Sequence, residues 1–102
     1  MREAALRVLR VLLDMPKPDT IRVSSAQFND GGTACFYLVQ DKSEARGVDE
    51  HGAPKYTSCY IVIDSAELES IPEHELAEMA RREMQRAIQK IQANSERKHG
   101  RI

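Results

Sequence analysis

Tryptophan is absent from this 102-residue chain, and three tyrosines and two phenylalanines are its only aromatic rings. So sparse a set argues against a stacking platform for single-stranded nucleic acid. Cysteine is equally scarce. Cys35 and Cys59 are too few to staple a secreted disulfide scaffold. Each lies inside an apolar run, where a free thiol behaves as a small hydrophobe. Two reduced, buried thiols are therefore expected, with a cross-strand bridge as the alternative. A charge excess is also missing: 15 basic residues face 16 acidic ones, for a net charge of −1. That balance supplies no overall drive toward nucleic acid or an anionic membrane.

Long apolar runs are lacking too, since no stretch approaches the ~18 residues of a membrane span. The opening MREAALRVLRVLLDM carries arginine and apolar residues but does not read as a targeting peptide. Arg7 and Arg10 interrupt its apolar run, Met15-Pro16-Lys17-Pro18 is no small-residue cleavage site, and Glu3 and Asp14 are foreign to a mitochondrial presequence. A cytoplasmic protein with no membrane partner is expected.

What is present is a globular composition, 41% hydrophobic and 30% charged, which places the chain outside the disordered class. Its length suits one domain with a modest core. The patterning predicts an α+β fold in the order α-β-β-β-α: a three-stranded antiparallel sheet packed by an N-terminal and a long C-terminal helix. The domain is expected over 1–96, with a basic tail over 97–102.

A first helix is predicted over 2–15, stopped by Pro16 and Pro18. Strands follow at 20–28 and 33–40, joined at Asn29-Asp30-Gly31-Gly32, a run suited to the positive φ of type I′ or bulged hairpins. Residues 41–54 are polar, charged and aperiodic, and read as a long flexible loop. A third strand is expected over 55–64. Asp64-Ser65-Ala66-Glu67 then has the spacing of a capping box for a short helical turn. The long helix begins near Pro72 and runs to about Ala93.

That last helix contains His74-Glu75-Leu76-Ala77-Glu78, one residue away from the zinc-protease pattern H-E-x-x-H. On a helical wheel, Leu76, Ala80, Met84, Ala87, Ile88 and Ile91 form the buried stripe. His74 and Glu78 fall outside it, on the polar side with Arg81 and Gln85. Two ligands aimed at water, the second of them a glutamate, do not make a walled zinc site. No metal and no cofactor are expected.

Glutamates gather at the start of this helix and Arg81, Arg82, Arg86 and Lys90 toward its end, an order that complements the helix dipole. Charge runs on exposed helices are usually solvated faces. The alternative reading makes Arg86, Lys90, Arg97 and Lys98 an anion or nucleic-acid patch.

The element order resembles that of double-stranded-RNA-binding domains. Those domains place a lysine-rich cluster at the start of the final helix. Here Ser70-Ile71-Pro72-Glu73-His74-Glu75 is acidic and would repel phosphate. The similarity is one of topology, which does not confer function.

No pair among Cys35, Cys59, His51, His74, Asp49 and Glu50 has the spacing of a nucleophile with its base, so no enzyme activity is expected. Surplus apolar surface points elsewhere. The first helix is apolar nearly all round, more than one contact face requires. In the strands, Ile21 and Val23 should share a face with Phe36 and Leu38, opposite Cys35, Tyr37 and Val39. In the third strand Tyr60 and Val62 face one way and Cys59, Ile61 and Ile63 the other. In a meander that strand is an edge, and a two-faced apolar edge is a pairing hazard unless covered. The expected function is a protein–protein interaction or structural module. It would act as a homo-oligomer, in the simplest case a homodimer, or as an adaptor or inhibitor of a foreign protein. Leu9, Leu12, Tyr60 and Val62 are the candidate interface. Arg46, Asp49, Glu50 and His51 of the long loop are candidate contacts.

Overall fold

A computed structural model describes residues 2–43 and 45–99, with side-chain surroundings described for 3–43 and 45–94. The elements are α1 (Arg2–Asp14), β1 (Ile21–Phe28), β2 (Ala34–Asp41), β3 (Thr57–Asp64), α2 (Ser65–Ser70) and α3 (Glu73–His99). The strands form one antiparallel meander in the order β1-β2-β3, as the patterning predicts. Only the short helix α2 stands between the sheet and the long helix.

α1 ends where its prolines forbid another turn, and Lys17 serves the orphaned carbonyls there. Its Nζ donates to the carbonyl oxygens of Leu13 at 2.7 Å, Leu12 at 3.1 Å and Met15 at 3.3 Å. The β1–β2 turn is organised by Asn29, whose Oδ1 accepts from the N–H of Thr33 at 2.8 Å and of Ala34 at 3.2 Å. Gly32 alone in this turn has positive φ, at 67°. A two-residue type I′ turn needs two such residues, so the loop is the longer kind, closed by the pair Phe28–Cys35. Asp64 occupies the N-cap position of α2 but makes no side-chain capping bond. The expected capping box is not formed; instead Ser65 Oγ donates to the Gly32 carbonyl at 2.6 Å and Ser65 N–H to the Thr33 carbonyl at 2.9 Å. These bonds tie the hairpin to the end of β3.

The core lies between one face of the sheet and the helices. Cys35, Tyr37, Val39, Ile61 and Ile63 supply the sheet side; Ala5, Val8, Leu12, Leu68, Leu76, Met79, Ala80, Met84, Ala87 and Ile91 supply the helix side. Predicted and observed stripes of α3 agree, with Met79 added and Ile88 half-buried.

The expected facing of β1 needs correction. β1 has a bulge between Val23 and Ala26: Val23 pairs with Val39, whereas Ala26 pairs with Tyr37. One extra residue on one strand reverses which side chains face the core. Ile21 and Val23 therefore join Val39 on the core face, not Phe36 and Leu38. The cysteines follow the first expectation of reduced thiols, except that Cys59 is not fully buried. Cys35 pairs with Ile63 and Cys59 with Val39, positions four residues apart along the ladder, or about 13 Å. That exceeds disulfide reach, so the cross-strand bridge is excluded; both thiols are free, Cys35 buried and Cys59 half-buried.

Candidate interaction surface

The helices leave the opposite face of the sheet open. Along that face Phe36 pairs with Val62 and Leu38 with Tyr60. Strict alternation places them there: their neighbours in sequence, Cys35, Tyr37, Ile61 and Ile63, all point into the core. Phe36 and Tyr60 meet edge to face, with ring centroids 6.1 Å apart and planes at 89°, a favoured aromatic geometry. Tyr60 and Val62 nevertheless remain 58% and 50% exposed. Four large apolar residues thus form one cluster on a face that, among the described residues, no helix covers. Phe36 and Leu38 belong to this cluster although the sequence singled out only Tyr60 and Val62. Their signal was the pairing implied by the meander.

On α1 the candidate interface divides. Leu9 is half-buried against the core. Leu12 is fully buried, packed with Ala5 and Val8, and cannot meet a partner; it is a core residue, not an interface residue. The exposed apolar side chains of this helix are Leu6 and Leu13, which share a stripe with Leu9 at i, i+3, i+7 spacing. A helix apolar nearly all round does not reveal from its wheel which side the sheet will take.

Within 41–54, expected to be a long flexible loop, the stretch from Arg46 onward is organised by backbone bonds. Val48 and Pro54 form an antiparallel bridge. Arg46 N–H donates to the Lys55 carbonyl at 2.7 Å, and Lys55 N–H to the Gly47 carbonyl at 2.9 Å. Asp49 anchors the tip, its Oδ1 accepting from His51 N–H at 2.8 Å and Ala53 N–H at 2.9 Å. Asp residues commonly build turns this way. Of the candidate contact residues, Arg46 donates to Thr57 Oγ1 at 3.2 Å, while Glu50 and His51 form an exposed pair at 3.4 Å. Arg46 and Asp49 thus also brace the segment, and Glu50 and His51 stand at its tip; Arg46, Glu50 and His51 are exposed.

Of the alternative basic patch, only Arg86 and Lys90 have side chains among the described residues. Arg86 is held by Glu83 at 3.4 Å. Arg86 and Lys90 line, with Glu83 and Ala87, a groove between α3 and the Cys59–Val62 edge of β3. The Cys59 thiol is pushed above its ordinary range by burial, against an opposing pull from the Lys90 charge. α3 continues as a helix past the expected start of the tail at residue 97, and the side chains of Arg97 and Lys98 lie outside the described set. His74 and Glu78 are exposed on α3, and among the described residues no three His, Cys, Asp or Glu side chains come together as metal donors. No helix among the described residues is long and apolar enough to cross a membrane.

No family model matches the chain, and neither does a curated protein or a solved structure.

Proposed function

We propose that this protein is a protein–protein interaction module whose working surface is the open sheet face of Phe36, Leu38, Tyr60 and Val62 together with the adjoining edge of β3. One observation carries the reading. An antiparallel sheet covered on one side only normally alternates apolar with polar residues, whereas β2 and β3 remain apolar on the uncovered side. Clustered apolar surface on a small domain marks a contact with another molecule. The module acts as a homo-oligomer or as an adaptor or inhibitor on a larger protein. The basic residues support a nucleic-acid role less well, because Arg86 is already engaged by Glu83.

The test is Val62→Lys in the full chain, with helicity checked by circular dichroism and mass by light scattering over a concentration series. Since Val62 stands at the surface, the variant should fold normally and lose assembly or partner binding. A folded variant with unchanged mass and unchanged binding would overturn the reading.

A further inference from the structure

The two edges of the sheet are built differently. β1 is bulged and carries Arg22 within its paired stretch, features that discourage a further strand. β3 is straight: all eight of its residues pair with β2 without a register break. No proline interrupts it, and no charge lies between Thr57 and Ile63. Among the described residues, no backbone bond from outside the sheet reaches Ser58–Ile63. α3 returns alongside this edge, so that Cys59, Tyr60, Ile61 and Val62 share a groove with Glu83, Arg86, Ala87 and Lys90. Lys90 acts on Cys59, and Glu83, two turns or about 10 Å earlier on the helix, lies toward Val62.

We propose that this edge pairs antiparallel with the same edge of a second copy of the chain, about a two-fold axis at Ile61, giving a continuous six-stranded sheet. The proposal rests on the reading of this surface as an interaction surface and names its occupant. Residues directly opposite in an antiparallel pair share a face. Centred on Ile61, the register sets Tyr60 opposite Val62 of the second copy, twice, on the open face. Cys59 meets Ile63 on the core face, and Ser58 meets Asp64 at the ends. A shift of one residue would oppose open-face to core-face side chains. Centring on Tyr60 would set Val62 opposite Ser58, and centring on Val62 would set Tyr60 opposite Asp64. The Ile61 register alone opposes apolar to apolar on both faces.

Charge supports the same partner. The two-fold axis brings Glu83 of each copy toward Lys90 of the other. Arg86 lies nearer the axis, where its charge is already met by its own Glu83 at 3.4 Å. An isologous contact requires this kind of self-complementarity, and a foreign partner would not need it.

The experiment uses the full chain with Cys35→Ala and Cys59→Ala, into which Tyr60→Cys and Val62→Cys are introduced separately. Opposed positions in an antiparallel pair lie within disulfide reach. On mild oxidation, the interchain disulfide should form when the two variants are mixed and in neither alone. In parallel, Glu83→Lys should raise the dimer dissociation constant roughly tenfold, two attractive pairs having become repulsive. Adding Lys90→Glu should restore it. A chain monomeric at every concentration overturns the proposal. So does a dimer that cross-links without preference for the mixture and ignores the charge exchange. A monomer that still binds another protein through Val62 sinks the self-pairing and keeps the interaction reading. A chain in which Val62→Lys changes neither mass nor binding sinks both.

Discussion

The Tyr37 hydroxyl donates to the Ala5 carbonyl at 2.8 Å, a bond from the centre of the sheet to the first helix across 32 residues of sequence. Both residues are buried, so the contact fixes where α1 sits along β2 as well as filling space. A buried phenol without a partner would be costly; here the helix backbone supplies the acceptor.

Tyr37→Phe keeps the ring and removes the bond, leaving a helix carbonyl that retains its own intrahelical partner. The expected cost is about 1 kcal/mol, read as a lowered denaturant midpoint with an unchanged slope. The same tyrosine adds an alkaline limit. Burial, reinforced by the neighbouring Cys35 thiol, pushes its pKa well above the ordinary range. The neutral form is therefore favoured in the folded state. That contribution is complete below the unfolded value near 10 and is lost as pH rises above it. Wild type should lose stability above about pH 10 more steeply than Tyr37→Phe, as thermal melts at stepped pH would show.

Leu12 and Leu6 give a direct check on the orientation of α1. Leu12 is 0% exposed and Leu6 51%. Leu12→Ala should cost roughly 2–5 kcal/mol through lost burial and the cavity left behind. Leu6→Ala should stay within about 0.5 kcal/mol of wild type. Equal losses, measured by urea unfolding, would mean that the helix is turned differently.

The bulge in β1 makes a sharper prediction. Ser24 and Ser25 stand at the register break, so deleting Ser25 alone leaves Ile21, Val23, Ala26 and Phe28 in plain alternation, all still facing the core. That variant should keep cooperative unfolding, having lost only the bulge. Deleting both serines sets Val23 next to Ala26, so that Ile21 or Phe28, one end of the strand or the other, must turn outward. Loss of cooperative unfolding, or a drop of more than about 2 kcal/mol, is expected of the double deletion. Equal stability of the two deletion variants would show that the break does not set the facing.

These contrasts also show which parts of the fold the sequence could reveal. Pro16 and Pro18, the Asn29–Gly32 run and the wheel of α3 each act locally, so their consequences are legible in the order of residues. The cysteine separation follows from the β2–β3 register, and the facing of β1 depends on the bulge. Ser24 and Ser25 suit either face, so period-two reading passes over them. In α1, apolar residues on nearly every side leave the choice between Leu12 and its exposed neighbours to tertiary contact. In the 41–54 segment, order comes from the Asp49 carboxylate and backbone bonds, which leave no hydrophobic period to detect. At the candidate surface, Tyr60 and Val62 were visible because strand alternation is local. Phe36 and Leu38 became partners only once the ladder was known.

Cys59 offers a probe of the β3 edge that needs no new side chain. Its thiol is half-buried and its pKa is raised, burial outweighing the pull of Lys90. The reactive thiolate should therefore appear at higher pH than the roughly 8.5 of an ordinary cysteine. Measured with Cys35→Ala to leave one thiol, the rate of modification by a disulfide reagent should have its midpoint above that value. Lys90→Ala should move the midpoint further up, since the stabilising charge is gone. The linkage has a definite sign: the thiol form is favoured by folding, so this contribution is present below the unfolded pKa and fades as pH rises past it. Modification at fixed pH should also slow as protein concentration increases, because β3 pairing would place Ile63 of a second copy over Cys59. A rate independent of concentration, through the range in which light scattering shows assembly, would mean that the copies meet elsewhere.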